Sequence, residues 1–522
     1  MPIKSGTLEV LVIATLGLFA FRVGLRSISD NSMLLHLRTG IDMARTWHVP
    51  HTDPYSFTAP HQPWVVESWF AELLYGLAYR IGGIHLVVVE QGVLMAVIAI
   101  TVSMLARAGT TLRTMAAAGI SVFAGVALWS QRPLLFGLLG LALLILSVER
   151  RRSPWWLVPI VWVWVNTHGS FPYGLLWLVA IYAGTLCGER RRPRELEPYI
   201  GVFVLSLVVA MINPIGPRLV AFPLIVEAKH KIFSGIVEWR SPDFQTAAPF
   251  FALVFFALAF LVLIRRGASW RDVFPVVGFF ALGLLSVRNM APAAVVLAPA
   301  LGRALRARAP APDPAVPAVP AVPAVPAVPA VAGVAGVAAV AAVPAVAAVA
   351  GVAGEPAGAP PGANLGTPLP AKVLRVVLVV AALLFVAGAY QGNGLELRSY
   401  PVAAERYLRT HGLLDGRRIA TQDYVGDFRE LEEGVGPSKV FIDDRYDMYP
   451  AQVSYDYRTL LAARPSALAV LAKWNVQVIM WGRYAGLPDE LRLAGGWRTV
   501  YSDKNWQILV RDPTVRPVPI PS

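Results

Sequence analysis

In an otherwise apolar chain, a small set of polar side chains has the types that acid–base and anion chemistry require. Asp30 falls just past the first apolar run, with His36 and Arg38 after it. The stretch Val49-Pro50-His51-Thr52-Asp53-Pro54-Tyr55-Ser56-Phe57-Thr58 carries Asp53, and Glu67 and Glu72 follow on an amphipathic segment. A carboxylate at a membrane boundary is partly desolvated, which raises its pKa and its basicity and suits it to take a proton from a hydroxyl. The same carboxylates could hold a divalent cation. Asp30 and Asp53 are the candidate bases. Each also has a plainer reading: Asp30 as the cap of a helix from Asn31 onward, and Asp53 as the turn residue before Pro54. Glu72 reads as a solvated face residue.

Further along, Trp162-Val163-Trp164-Val165-Asn166-Thr167-His168-Gly169 ends one apolar run, Asn213-Pro214 ends another, and Glu238-Trp239-Arg240 lies beyond it. Arg132 and Arg288 stand alone at span ends on the side where arginine is not expected. A guanidinium offers a planar two-pronged fork that matches a phosphate, so an anionic lipid headgroup is one reason for such an arginine. A structural pair with Glu238 or Asp243 is the other. His168 reads equally as an interfacial histidine with a structural partner. His36, Arg38, Glu67, His168, Arg240 and Arg288 form the candidate substrate-binding set, and no metal-ligand set is assigned. None of these residues is specific alone; their placement on one side of the apolar spans is the signal.

The elements that must position them are membrane spans. Charged residues make up only 15% of the chain, the apolar share is 56% and the mean hydropathy is +0.55. A soluble chain would carry about a quarter charged residues. Spans are expected near 7–26, 84–106, 114–130, 133–148, 154–167, 172–187, 198–212, 247–264, 273–287, 290–304 and 372–389, about eleven helices. Arginines cluster in alternate gaps, at Arg107 and Arg113, Arg150 to Arg152, Arg190 to Arg194, Arg265 to Arg271 and Arg303 to Arg308. The positive-inside rule makes these gaps cytoplasmic and puts the reactive residues outside. The net charge of +13 is therefore an orientation signal and not a nucleic-acid footprint. The first run, Leu8 to Phe21, has no small-residue cleavage site after it and reads as an uncleaved first span with a cytoplasmic N-terminus. Cys187 allows no internal disulfide.

The first outer loop, 27–83, holds two amphipathic stretches, Ser32 to Trp47 and Trp64 to Arg80, expected to lie at the interface with Trp47, Trp64 and Trp69 as anchors. Residues 306–371 repeat Ala-Val-Pro and then Ala-Gly-Val; proline at that density cannot satisfy its backbone in lipid, so the segment reads as an extended cytoplasmic linker. Residues 372–390 form the last span. Residues 391–522 return to soluble composition, with strands expected at Val440 to Ile442, Val476 to Met480 and Trp506 to Val510, and helices at Tyr400 to His411 and Ala463 to Lys473. The acid-rich run Asp427 to Asp447 reads as a solvated surface. The fold class is thus mainly α: a polytopic membrane region at 1–305 with a small α/β extracytoplasmic domain at the C-terminus.

A long first outer loop with an acid just after the first span, many further spans and a soluble C-terminal outer domain resemble the GT-C superfamily of integral-membrane glycosyltransferases. The stretches His36-Leu37-Arg38-Thr39-Gly40, Thr52 to Thr58, Trp64-Val65-Val66-Glu67, Asn166-Thr167-His168-Gly169, Asn213-Pro214, Glu238-Trp239 and Val440 to Arg445 are similar to a pattern in bacterial members related to protein-mannosyltransferases and lipid-A-sugar transferases. The resemblance covers the chain to about residue 305. It implies a polyprenyl-phosphate sugar as donor, an envelope glycan, lipid or protein as acceptor, and transfer at the outer face of the inner membrane. It also implies an acid in the first outer loop as base, which maps onto Asp30 and then Asp53. Well-studied members place two adjacent acids there; here Asp30 is followed by Asn31. No nucleotide is needed, in keeping with the lack of a phosphate-cradling glycine loop. The alternatives are a transporter or flippase for a lipid-linked glycan, and a non-catalytic membrane assembly protein. Span interiors nearly free of charge argue against transport.

Overall fold

A computed structural model describes residues 5–233, 236–306, 371–392, 394–436 and 438–512. The Ala-Val-Pro segment, expected above to be a linker, lies outside the described residues. Helices stand where the apolar runs place them: α1 (Ser5–Gly24), α2 (Ser32–Thr46), α3 (Trp69–Leu105), α4 (Thr111–Gly125), α5 (Leu134–Glu149), α6 (Leu157–Thr167), α7 (Pro172–Glu189) and α8 (Glu197–Ala210). Three short helices follow, α9 (Pro217–Val220), α10 (Phe222–Ala228) and α11 (His230–Phe233), and then α12 (Ala247–Arg265), α13 (Trp270–Leu285), α14 (Met290–Arg306) and α15 (Ala371–Gly392). Among the described residues, Thr7–Gly24, Trp69–Leu105, Thr111–Leu128 and Ala247–Arg265 are long and apolar enough to cross a membrane, and Leu134–Glu149, Glu197–Ala210 and Val376–Gly392 are shorter apolar helices. Val204, Leu205 and Val208 on α8, Phe250, Phe251 and Leu261 on α12, and Val379, Leu383 and Leu384 on α15 face outward. Apolar belts of this size need lipid or another apolar partner against them.

Small residues set how closely the helices cross. A Cβ on Gly76 of α3 would lie 1.9 Å from the Gly40 carbonyl oxygen of α2, so both positions must be glycine for the helices to touch backbone to backbone. The helix α3 breaks at Gly82 and Gly83, where Gly83 takes φ 63°, a conformation that glycine adopts without a Cβ penalty. The break separates the amphipathic half from the apolar half, so the two segments expected from the sequence are joined end to end. Nearly all of α14, rich in Ala, Val and Leu, is buried; it fills the centre of the bundle.

At one end of the bundle the charges pair among themselves. Arg303 donates to Asp272 over 2.7 Å and to Glu149, and Arg271 donates to Glu149 over 2.9 Å. Arg107 lies 3.4 Å from Glu9. This is the end where the sequence puts the basic gaps.

The C-terminal region forms a four-stranded sheet in the order β1 (Ile419–Ala420), β2 (Val478–Gly482), β4 (Trp506–Arg511), β3 (Trp497–Ser502). β1 runs parallel to β2, and the other pairs are antiparallel, with Ile479 opposite Leu509 and Thr499 opposite Leu509. Helices α16 (Val402–Thr410), α17 (Asp423–Glu433), α18 (Ala451–Leu461), α19 (Ala467–Lys473) and α20 (Gly486–Ala494) surround it.

Three expectations are corrected here. Val440 to Ile442 is buried but forms no strand; Val440 makes only single bridges, to Ile419 and to Ser56 of the first loop. One edge is bonded to the first loop, Phe57 N–H donating to Val440 O over 3.0 Å and Val440 N–H to Tyr55 O over 3.0 Å, and the other bridges Ile419, each at a single position, so no ladder extends. Trp64 and Trp69 are buried, not interfacial: Arg445 stacks on Trp64 at 4.5 Å, and Trp69 donates to Asn166 over 2.8 Å. Trp47 alone of the three projects, 70% exposed. The acid-rich run is not a solvated surface, because Asp427, Glu430, Asp443 and Arg445 are all buried where α17 meets the first loop.

Candidate active site

The first loop and the C-terminal domain are stitched together by backbone before any side chain is considered. Ile28 N–H donates to Gly394 O over 2.8 Å, and Glu396 N–H donates back to Ile28 O over 2.8 Å. That pairing fixes the chain two residues before Asp30. Asp30 then hangs between the start of α2 and the joint ahead of α5. One oxygen accepts from Ser32 N–H over 3.2 Å. The other accepts from the Ser130 hydroxyl and lies 3.6 Å from Arg132 Nε. The Asp30 side chain keeps 12% of its exposure, so it is desolvated but reachable.

Arg132 turns its fork to Glu238, at 2.6 and 2.8 Å. The paired reading of this arginine is thus what the structure shows, with Asp30 on its remaining edge. Burial opposes the Arg132 charge, and Asp30 and Glu238 more than restore it. His168, on the far side, caps α6. It is admitted by Gly137 of α5, where a Cβ would lie 2.4 Å from Ser170 Oγ and 2.9 Å from His168 Nδ1. Burial pushes the His168 pKa well down, and Arg288 and Arg132 push it the same way, so the ring is neutral. Arg288 lays its guanidinium on the Trp239 face at 4.3 Å. Among the described residues it has no carboxylate within ion-pair distance. Asp30, Arg132, His168 and Arg288 therefore share one end of the bundle: Asp30 meets Arg132, and His168 lies within electrostatic reach of Arg132 and Arg288.

A second pair lies beside this group. His36 Nδ1 meets Glu72 Oε1 at 2.6 Å, with Glu72 2% exposed. Glu72 is thus a buried partner and not a solvated face residue: α2 folds back over the start of α3 through Gly40 and Gly76 and covers it. Burial opposes the His36 charge, but the contact with Glu72 outweighs it and the pKa rises. Burial raises the Glu72 pKa against the pull of His36. Glu67 accepts from Gly169 N–H over 3.0 Å and ties the first loop to the turn that carries His168.

The C-terminal domain supplies further acids. Asn31 donates to Asp427 over 3.2 Å and to Asp444. Ser32 donates its hydroxyl to Asp444 over 2.7 Å. Burial, with Asp423 and Asp30 nearby, raises the Asp444 pKa to about 7. Burial and then Asp444 push Asp427 well up. Asn31 fits here because an amide can donate to two acids that an adjacent carboxylate would repel.

The other candidates lie apart. Asp53 is 3% exposed. Its oxygens accept from Tyr55 N–H and Ser56 N–H at 3.0 Å each and from the Ser56 hydroxyl, and Arg445 forms an ion pair with it at 2.8 Å. A carboxylate so covered, with its charge already paired, has no open edge for an acceptor, so Asp53 is a loop clamp. Arg38 is paired with Asp42, at 3.0 Å from Nε, and packs against Gly434. Arg240 has an exposed side chain, and its carbonyl accepts from Val287 N–H over 3.0 Å. Asn166 and Asn213 spend their amides on Trp69 and Trp162 and on a local turn. Among the described residues, no three His, Cys, Asp or Glu side chains converge to hold a metal ion. Ser130 was not singled out in the sequence, and Asp427 and Asp444 were read as solvated surface, since nothing in the sequence tells which loop a distant serine or acid will face.

No family model and no curated protein matches the chain. Solved structures with an overlapping course include the oligosaccharyltransferase AglB from Archaeoglobus fulgidus, described as a complex with an inhibitory peptide and a dolichol-phosphate. The identity is 11% over 97% of this chain and 74% of that one, with a TM-score of 0.49. An Archaeoglobus fulgidus oligosaccharyltransferase complex with Zn and sulfate overlaps at 12% identity, 97% and 73% coverage and TM-score 0.48. The arabinofuranosyltransferase AftD from Mycobacteria overlaps at 14% identity and TM-score 0.45, covering 97% of this chain and 41% of AftD. All three overlaps fall below a TM-score of 0.5, and the reading below rests on the site's own residues.

Proposed function

We propose that this chain is a multi-pass inner-membrane glycosyltransferase of GT-C type. It moves a sugar from a polyprenyl-phosphate donor to a hydroxyl of an envelope acceptor at the outer face. The N-terminus is cytoplasmic and the domain at 391–522 extracytoplasmic, with residues 306–371 as a cytoplasmic linker and 372–390 as the last span. The observation that supports this reading is a reachable carboxylate, Asp30, against Arg132, with His168 within electrostatic reach of both Arg132 and Arg288, and Arg288 without a carboxylate partner among the described residues.

Asp30 takes the acceptor hydroxyl proton as that oxygen attacks the anomeric carbon. The bond from that carbon to the phosphate oxygen breaks, and the lipid phosphate leaves with the electron pair. Arg288, preset on Trp239, offers its fork to the developing phosphate charge, and Arg132 adds a second cation. Neutral His168, within electrostatic reach of both, can donate to or accept from a sugar hydroxyl without adding charge. The His36–Glu72 pair and Glu67 hold the loop that carries Asp30.

The test uses purified native protein in nanodiscs with radiolabelled polyprenyl-phosphate sugars and envelope acceptors. Native protein should form a new glycosidic bond, and Arg288→Ala should raise the donor KM about tenfold or more, as expected for loss of one charge-assisted contact. Flux of intact lipid-linked glycan without bond formation would replace the reading with transport.

A further inference from the structure

The C-terminal domain carries a second cleft, of about 360 Å³, away from Asp30. It is lined by Gln422, Tyr424, Arg483, Tyr484, Asn505 and Trp506. None of these six is a carboxylate, which disfavours a cation. Two aromatic rings form its floor, Tyr424 and Trp506 with centroids 6.4 Å apart. Tyr484 stands over it, 82% exposed, a large exposure for an aromatic ring. Arg483 lies 5.8 Å from the Tyr484 ring and donates to Asp503 O over 2.8 Å.

Two further facts point to a ligand with hydroxyl groups. Gln422 lines the cleft, and its amide oxygen, covered beside Gly482, has no hydrogen-bond partner among the described residues. An unsatisfied buried acceptor is costly, and a turn of the Gln422 amide toward a ligand hydroxyl in the cleft would satisfy it. The walls are also preformed: Arg483 N–H donates to Asn505 O over 2.7 Å, and Gln507 donates to Arg483 O over 3.0 Å, pinning the loop after β2 to the turn before β4. Aromatic faces for the C–H side of a sugar ring, with amides for its hydroxyls, are the recognition chemistry of a neutral saccharide.

The cleft also leads to the candidate active site. Tyr424 meets Tyr400 with ring centroids 5.7 Å apart. Tyr400 lies within electrostatic reach of Asp427, Asp444 and Asp30. We infer that this cleft is a saccharide-binding platform that holds a glycan chain of the acceptor while its end reaches toward Asp30. The use made of the glycan rests on the proposed transferase reading; the binding does not.

The experiment is saturation-transfer NMR of the full chain in nanodiscs with neutral trisaccharides: maltotriose, cellotriose and mannotriose. At least one should bind with millimolar affinity. Tyr484→Ala should weaken it about tenfold, the scale of one lost aromatic contact, while Tyr484→Phe leaves it within about twofold. Unchanged melting of Tyr484→Ala checks the fold, and Gln422→Ala, which should also weaken binding, replaces it if that variant melts early. No binding by native protein at about 20 mM of any trisaccharide, or equal binding by both alanine variants, would overturn the platform. Binding without glycosyl transfer would overturn the transferase and leave the platform; transfer without trisaccharide binding would do the reverse.

Discussion

Asp444 is held at the junction of the first loop and the C-terminal domain at a cost that pH can reveal. Burial first, then Asp423 and Asp30, raises its pKa from 3.8 to about 7. Below about pH 4 both folded and unfolded chains hold this proton. Between pH 4 and 7 only the folded chain does, so stability falls as pH rises through that window and flattens above it. A displacement of about three pH units at about 1.4 kcal/mol each puts the cost near 4 kcal/mol at most. Asp444→Asn removes the charge and keeps an acceptor for Asn31 and Ser32. The variant should be more stable than native protein at pH 8, and its advantage there should exceed that at pH 5 by about 2 to 3 kcal/mol. Melting followed by tryptophan fluorescence in detergent at the two pH values reads the difference. A variant less stable than native protein at pH 8, or shifted equally at both, would refute the reasoning, because it would mean that Asp444 is held as a stabilising carboxylate.

Other predictions follow from the same contacts. Arg445→Ala leaves Asp53, Asp443 and Glu430 buried without their cation, and should cost about 3 to 5 kcal/mol in a melting assay. Arg445→Lys should not restore it, since the guanidinium also stacks on Tyr55 and Trp64. Gly137→Ala drives a Cβ into Ser170 and His168; transfer should fall at least about tenfold, with melting lowered by about 1 to 3 kcal/mol of overpacking. Glu238→Gln releases the Arg132 fork, so a donor-binding assay should show altered affinity, whereas Asp243→Asn should show none.

Much of the helical frame was legible because apolar runs and arginine-bearing gaps are local signals. The helices that answer to expected spans begin and end within a few residues of them, except that α3 starts at Trp69, ahead of the expected 84; the short helices α9 to α11 were not expected. What sequence could not show is which faces become covered. Glu72 looked solvated because its own helix is amphipathic, and only the return of α2 buries it under His36. The run Asp427 to Asp447 looked like surface because acids cluster there, yet Arg445 neutralises three buried acids across two chain segments. Asp30 and Asp53 looked alike as loop acids. Their surroundings separate them: Asp53 is covered by its own turn and Arg445, while Asp30 keeps an open edge. Val440 shows the same limit in the backbone, since a strand-like run forms no strand when its two edges are claimed by different partners.

The claim that Asp30 is the base is tested most directly by single-turnover transfer with Asp30→Asn and Asp53→Asn, each normalised to folded protein. The account predicts that Asp30→Asn lowers the rate about 100-fold or more, the usual share of a general base. Asp53→Asn should keep the native rate per folded molecule while melting earlier. A native rate for Asp30→Asn, or loss of rate confined to Asp53→Asn, would contradict it.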